Sequence, residues 1–143
     1  MEAKKKGLQR DLTIVNRGYT VYGARMSFFT QKLLAGMHWH GFDPHYIPKS
    51  GSPAGADVER RSGTHQIPVL ITPENWCIAD STPIFHLLDS RLPEPRFFPG
   101  SPYTKCIVAL LEEYFDEFSA RLTIFTRWHH SETAADAALK MAS

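Results

Sequence analysis

The sequence predicts an α/β domain with the order strand, helix, strand, weak helix, strand, strand, helix, followed by the opening of an all-helical domain. Three observations carry this. Two apolar, β-favouring runs, Ile67-Pro68-Val69-Leu70-Ile71-Thr72 and Trp76-Cys77-Ile78-Ala79, flank Pro73-Glu74-Asn75, the pattern of a hairpin. Apolar residues at helical spacing follow Ser27 and again follow Asp80-Ser81, both good helix starts. A proline-rich break then precedes one long amphipathic stretch. The expected organisation is a polar lead-in over 1–18, the α/β domain over 19–91, a linker over 92–101, and over 102–143 the start of an incomplete helical domain.

Each element has its own signal. Leu12-Thr13-Ile14-Val15 is a short candidate strand within the lead-in, and Tyr19-Thr20-Val21-Tyr22 is the first strand of the domain, ending at Gly23. From Ser27 the pattern turns helical: Phe28, Leu33, Leu34, Met37 and Trp39 fit a buried stripe, and Gly41 stands where a glycine stops helices. His45-Tyr46-Ile47-Pro48 reads as a second strand, kept short by Pro44 and Pro48. Lys49 to Gly63 is expected to be a loop around one weak helical turn near Ala56-Asp57-Val58-Glu59. Pro68 heads the third strand, where its missing N–H does least harm. Asp80 or Ser81 caps a helix through Ile84, Phe85, Leu87 and Leu88 that ends at Arg91.

Leu92-Pro93-Glu94-Pro95 and Phe98-Pro99-Gly100 form a stiff linker. Pro102 then opens a long helix to about His130, with Ile107, Leu110, Leu111, Tyr114, Phe115, Phe118, Leu122, Ile124 and Phe125 as its apolar face. Ser131 reads as the N-cap of a short alanine-rich helix.

Composition narrows the function classes. In 143 residues, 43% hydrophobic and 22% charged residues describe a globular protein of one domain or a little more. A net charge of +1 argues against a dedicated nucleic-acid binder. No apolar run approaches the roughly 20 residues that span a bilayer. The basic start Lys4-Lys5-Lys6 lacks the apolar segment of a signal peptide. Cys77 and Cys106 are too few for a disulfide framework or zinc site, and a reducing cytoplasm is the expected location. His38-Trp39-His40 and His129-His130 have no cysteine or carboxylate to complete a ligand set, so no metal is expected.

The proline-led strand, the hairpin and the acid-serine helix start together resemble the glutathione-binding half of the glutathione transferases. The resemblance covers roughly residues 19–130 and implies a thioredoxin-like (βαβαββα) domain followed by the first helix or helices of the family's all-α C-terminal domain. It implies a cis bond at Ile67–Pro68. Ser27-Phe28-Phe29-Thr30 stands where thioredoxins carry Cys-x-x-Cys and where serine-type transferases carry a catalytic serine. Aligning Gly41 with the glycine that ends this helix in zeta-like members puts Ser27 on that serine.

The remaining contacts follow the tripeptide. The resemblance implies that the backbone of Ile67, or equivalently Val69, pairs with the cysteinyl residue beside Pro68. Asp80 and Ser81 match the family's acid-serine pair for the γ-glutamyl end, Ser81 meeting its carboxylate at the helix start and Asp80 its ammonium. His65-Gln66-Ile67-Pro68 resembles the His-x-Ile-Pro of delta-type members, whose histidine reaches the glycyl carboxylate. Lys49 and Arg61 are alternatives for that job.

Ser27 has chemistry suited to the role. A free thiol titrates at about 8.5, so making half of it thiolate at pH 7 takes about 1.5 units, or roughly 2 kcal/mol. A hydroxyl donating to the thiolate supplies about 1.5–3 kcal/mol, and a helix N-terminus adds about 0.3–1 kcal/mol. No metal is needed.

The resemblance therefore implies glutathione as co-substrate, a small electrophile as second substrate, and a homodimer if the chain is full-length. One departure stands against it: the chain stops soon after the first long helix, as a fragment or a shortened form would. The alternative reading is a non-catalytic interaction module of the same fold, or an inactive fragment. A thiol-disulfide oxidoreductase is disfavoured, because Ser27 and Thr30 replace both cysteines.

Overall fold

The computed structural model describes residues 18–93 and 96–142. The candidate strand at Leu12–Val15 lies outside them. The chain forms two compact units, the first running to Phe97 and the second from Phe98.

The first unit contains β1 (Thr20–Gly23), α1 (Phe28–Trp39), β2 (His45–Pro48), α2 (Gly55–Ser62), β3 (Val69–Ile71), β4 (Cys77–Ala79) and α3 (Ser81–Arg91). Its four strands form one mixed sheet in the order β2-β1-β3-β4. The β1–β2 pair is parallel, and the β1–β3 and β3–β4 pairs are antiparallel. This is the thioredoxin-like (βαβαββα) arrangement, with α1 and α2 between strands and α3 after β4.

Alternation along the strands divides the core. Tyr22 and Val69 point to one face and cluster with Val58 of α2, joined by Ile47, Ile71 and Ala79. Val21 and Leu70, the opposite row, are fully buried, as are Leu33 and Met37 of α1 and Ile84 and Leu88 of α3. Each such side chain contributes about 1.5–3 kcal/mol by leaving water.

Two expectations need correction. The 49–63 segment holds more than one weak turn: α2 is an eight-residue helix. Asp57 in its first turn and Arg60 and Arg61 in its last suit the helix dipole, and Asp57 pairs with both arginines. Gly63 closes it in the left-handed conformation at φ 71°, where a side chain would be strained. Val58 is its one deeply buried large side chain, too little for apolar periodicity to show in the sequence. Trp39, assigned to the buried stripe of α1, is 85% exposed. It lies two residues past Met37, about 200° around the helix, and so on the opposite side.

The second unit contains α4 (Pro102–His129) and α5 (Ser131–Ala142). α4 has Pro102 in its first turn. The expected apolar stripe forms, but every member is exposed, from Ile107 at 39% to Leu110 at 67%. The Thr133 hydroxyl of α5 donates to the Thr126 carbonyl of α4 at 3.2 Å. Ser131 begins α5 as its first residue. No helix among the described residues is long and apolar enough to cross a membrane.

Candidate functional site at one edge of the sheet

Strand register assembles the site. Ile47, Tyr22, Val69 and Ala79 lie in one row across the four strands. Immediately beyond that row come Lys49 after β2, the Ala24–Ser27 turn after β1, Ile67-Pro68 before β3, and Asp80-Ser81 after β4. Residues from Ala24 to Ser81, 57 positions apart in sequence, thus emerge along one sheet edge. At about 4.8 Å between strands, that edge is about 14 Å long.

Ser27 is held by a closed set of hydrogen bonds. Its N–H donates to the Ala24 carbonyl at 2.9 Å. Its Oγ accepts the Thr30 N–H at 3.2 Å, so it is the N-cap of α1. The Ala24 N–H donates to Thr30 Oγ1 at 3.3 Å. A capping hydroxyl that accepts in this way retains its own proton for donation. The turn is close-packed: a Cβ on Gly23 would lie 2.5 Å from Thr30 Cγ2. Thr30, fully buried, is the residue that sequence reasoning missed as a support. Its signal was the three-residue spacing from Ser27.

The Ile67–Pro68 bond is cis. Pro68 is buried and Ile67 half-buried. The Asp80 N–H donates to the Pro68 carbonyl at 3.3 Å, which joins the proline segment to the start of α3. Asp80 is the N-cap: its Oδ1 accepts the Thr82 N–H at 3.2 Å. Its φ of 76° and ψ of 133° are unusual for a non-glycine residue, and such conformations cost about 1–3 kcal/mol. The Asp80 side chain is exposed, whereas Ser81, the first residue of α3, is buried.

Two candidates sit differently from what their types imply. Val69 lies within the ladder, in register with Tyr22 on one side and Ala79 on the other, so of the Ile67–Val69 alternatives Ile67 is the residue outside it. Lys49 is 7% exposed, and its ammonium faces the carbonyls of His65 at 2.7 Å, Gln66 at 3.2 Å and Thr64 at 3.5 Å, with Glu59 at 3.2 Å. A buried cation needs such partners, which leaves none of its three protons for a ligand carboxylate.

His65 is exposed. Arg61 donates to the Asn75 carbonyl at 2.7 Å and to its side-chain oxygen at 2.9 Å, on the hairpin turn. Burial pushes the Cys77 thiol up, away from reactive thiolate. No group of three metal-ligating side chains occurs among the described residues.

Comparison with known proteins decides the family. A sequence model described as glutathione S-transferase, N-terminal domain, matches residues 21–96, more than half of the chain. The chain belongs to the glutathione S-transferase family. No curated protein matches it. Among solved structures, a Tau class glutathione S-transferase from mango, Mangifera indica, aligns at 21% identity and TM-score 0.65, over 86% of this chain and 57% of that one. A glutathione S-transferase from Methylobacterium radiotolerans, solved with glutathione sulfonate, aligns at 19% identity and TM-score 0.64, over 80% and 54%. Another from Methylobacillus flagellatus, solved with glutathione bound, aligns at 21% and TM-score 0.60, over 86% and 64%. The chain thus spans somewhat over half the length of the transferases it resembles.

Proposed function

We propose that this chain binds glutathione along the sheet edge and activates its thiol for attack on an electrophile. The carrying observation is the convergence of Ser27, Ile67-Pro68 and Asp80-Ser81 beyond one row of the sheet. The edge, about 14 Å from β2 to β4, suits an extended tripeptide of roughly 10 Å. The bound ligands of the two bacterial relatives support the same assignment.

In this reading the γ-glutamyl end lies at α3. Asp80 uses one oxygen on the Thr82 N–H, and its other oxygen suits the ammonium. Ser81 and the orphan N–H groups of the first helical turn suit the carboxylate. The backbone of Ile67 pairs with the cysteinyl residue, and His65 faces the glycyl carboxylate.

Ser27 donates its hydroxyl proton to the cysteinyl sulfur, which favours loss of the thiol proton to water. The thiolate then forms a bond to an electrophilic carbon, and that carbon's leaving group departs with its electron pair. A full-length form of this chain assembles as a homodimer and acts in the cytoplasm.

A non-catalytic interaction module of the same fold is the second reading, favoured by the exposed apolar stripe of α4, a surface suited to a protein partner. Retention on immobilised glutathione together with turnover of a generic aryl halide supports the enzyme. Retention without turnover supports the module. Failure of both refutes the glutathione site.

A further inference from the structure

We propose that Lys49 is a positioning residue for the segment that meets the ligand, with Glu59 of α2 as its counter-ion. The proposal rests on reading the site as glutathione-binding, and it departs from assigning Lys49 to the ligand itself.

The geometry is specific. Carbonyls of successive residues in a strand point to alternate sides, yet those of Thr64, His65 and Gln66 all face one ammonium, at 3.5, 2.7 and 3.2 Å. The segment is therefore curled around the cation. Its curl is closed from within, because the Gln66 N–H donates to Thr64 Oγ1 at 3.1 Å. Lys49 is itself anchored, its N–H donating to the Gly23 carbonyl at the end of β1 at 2.9 Å.

Charge is balanced by Glu59 Oε1 at 3.2 Å. α2 comes close enough to supply it because Gly55 has no side chain: a Cβ there would lie 2.8 Å from the Lys49 carbonyl oxygen. Lys49 thus ties β1, through its backbone N–H, to α2 and the 64–66 segment, through its ammonium, just ahead of Ile67. Without it, three carbonyls lose their shared donor, and the segment bearing His65 and Ile67 relaxes.

The test compares glutathione with its glycyl ethyl ester, which lacks the terminal negative charge, using the full chain and calorimetry. Lys49→Met is expected to weaken both ligands, the ester included, by about tenfold or more. Amide exchange at Gln66 and Ile67 should quicken in the same variant, while exchange in β1 stays unchanged. A loss confined to glutathione, with the ester spared, makes Lys49 a direct carboxylate contact and overturns the proposal. Unchanged affinities and unchanged exchange overturn it as well.

Glu59→Gln, at a half-exposed position, carries the test if Lys49→Met does not fold. A loss of about twofold to threefold for both ligands is expected, and no loss for the ester overturns the proposal. If the parent binds neither ligand, the glutathione reading fails on its own account. Exchange at Gln66 and Ile67 then decides the clamp, with unchanged rates overturning it.

Discussion

Replacing Ser27 with alanine separates two roles of one hydroxyl, the cap seen in the structure and the proposed donor to the glutathione thiolate. As N-cap, Ser27 Oγ accepts the Thr30 N–H at 3.2 Å, and losing such a cap costs about 1 kcal/mol. Against a usual stability of about 5–15 kcal/mol, the variant stays folded. As thiolate donor, the hydroxyl supplies about 2 kcal/mol, so its removal raises the bound thiol's pKa by about 1.5 units. The thiolate fraction at pH 7 then falls from about one half to about 3%. The sign gives a signature: thiolate is lost at neutral pH and restored above about pH 9, where both forms are ionised.

The assay is ultraviolet titration of bound glutathione, with turnover followed over the same pH range and affinity measured by calorimetry. Affinity should hold within about twofold, since binding is spread over both ends of the tripeptide. An unchanged titration midpoint, with only the stability loss, would refute the role and leave Ser27 a cap.

Further outcomes follow from the same geometry. Asp80→Ala should weaken glutathione by about tenfold but barely affect an analogue lacking the γ-glutamyl amine, and Ser81→Ala should weaken glutathione beyond its stability loss; calorimetry checks both. Asp80→Val, placing a branched side chain at a φ of 76°, should cost about 1–3 kcal/mol in urea denaturation, and Asp80→Gly distinctly less. Gly23→Ala should destabilise by about 1–3 kcal/mol, because its Cβ would meet Thr30 at 2.5 Å. Cys106, exposed, should alkylate well before Cys77, whose thiol burial holds up; mass mapping at pH 8 checks the order, and equal rates would contradict it.

The parts of the fold legible in the sequence are those set by local chemistry. Pro68 marks a strand start because it lacks an N–H, Asp80-Ser81 a helix start because a carboxylate can cap, and Gly41 a stop at φ 77°. Two apolar, β-favouring runs around Pro73-Glu74-Asn75 then mark the hairpin, and spacing marks α3 and α4. Features that depend on what arrives from elsewhere were not legible. α2 is held by Val58 and charge pairs. Trp39 faces away because a helix turns 100° per residue, which a loose apolar stripe hides. The type of Lys49 points to a ligand, and only the curl of the 64–66 carbonyls gives its ammonium other partners. Register, too, is invisible locally, yet it is what brings Ser27, Ile67 and Asp80 to one edge.

The most direct test of the central claim is a titration of isotope-labelled protein with glutathione, following backbone amide resonances. Saturable shifts centred on Ser27, Ile67 and Asp80-Ser81, with α4 and α5 unmoved, are the expected result. Shifts clustered elsewhere, or none at millimolar glutathione, would contradict the site.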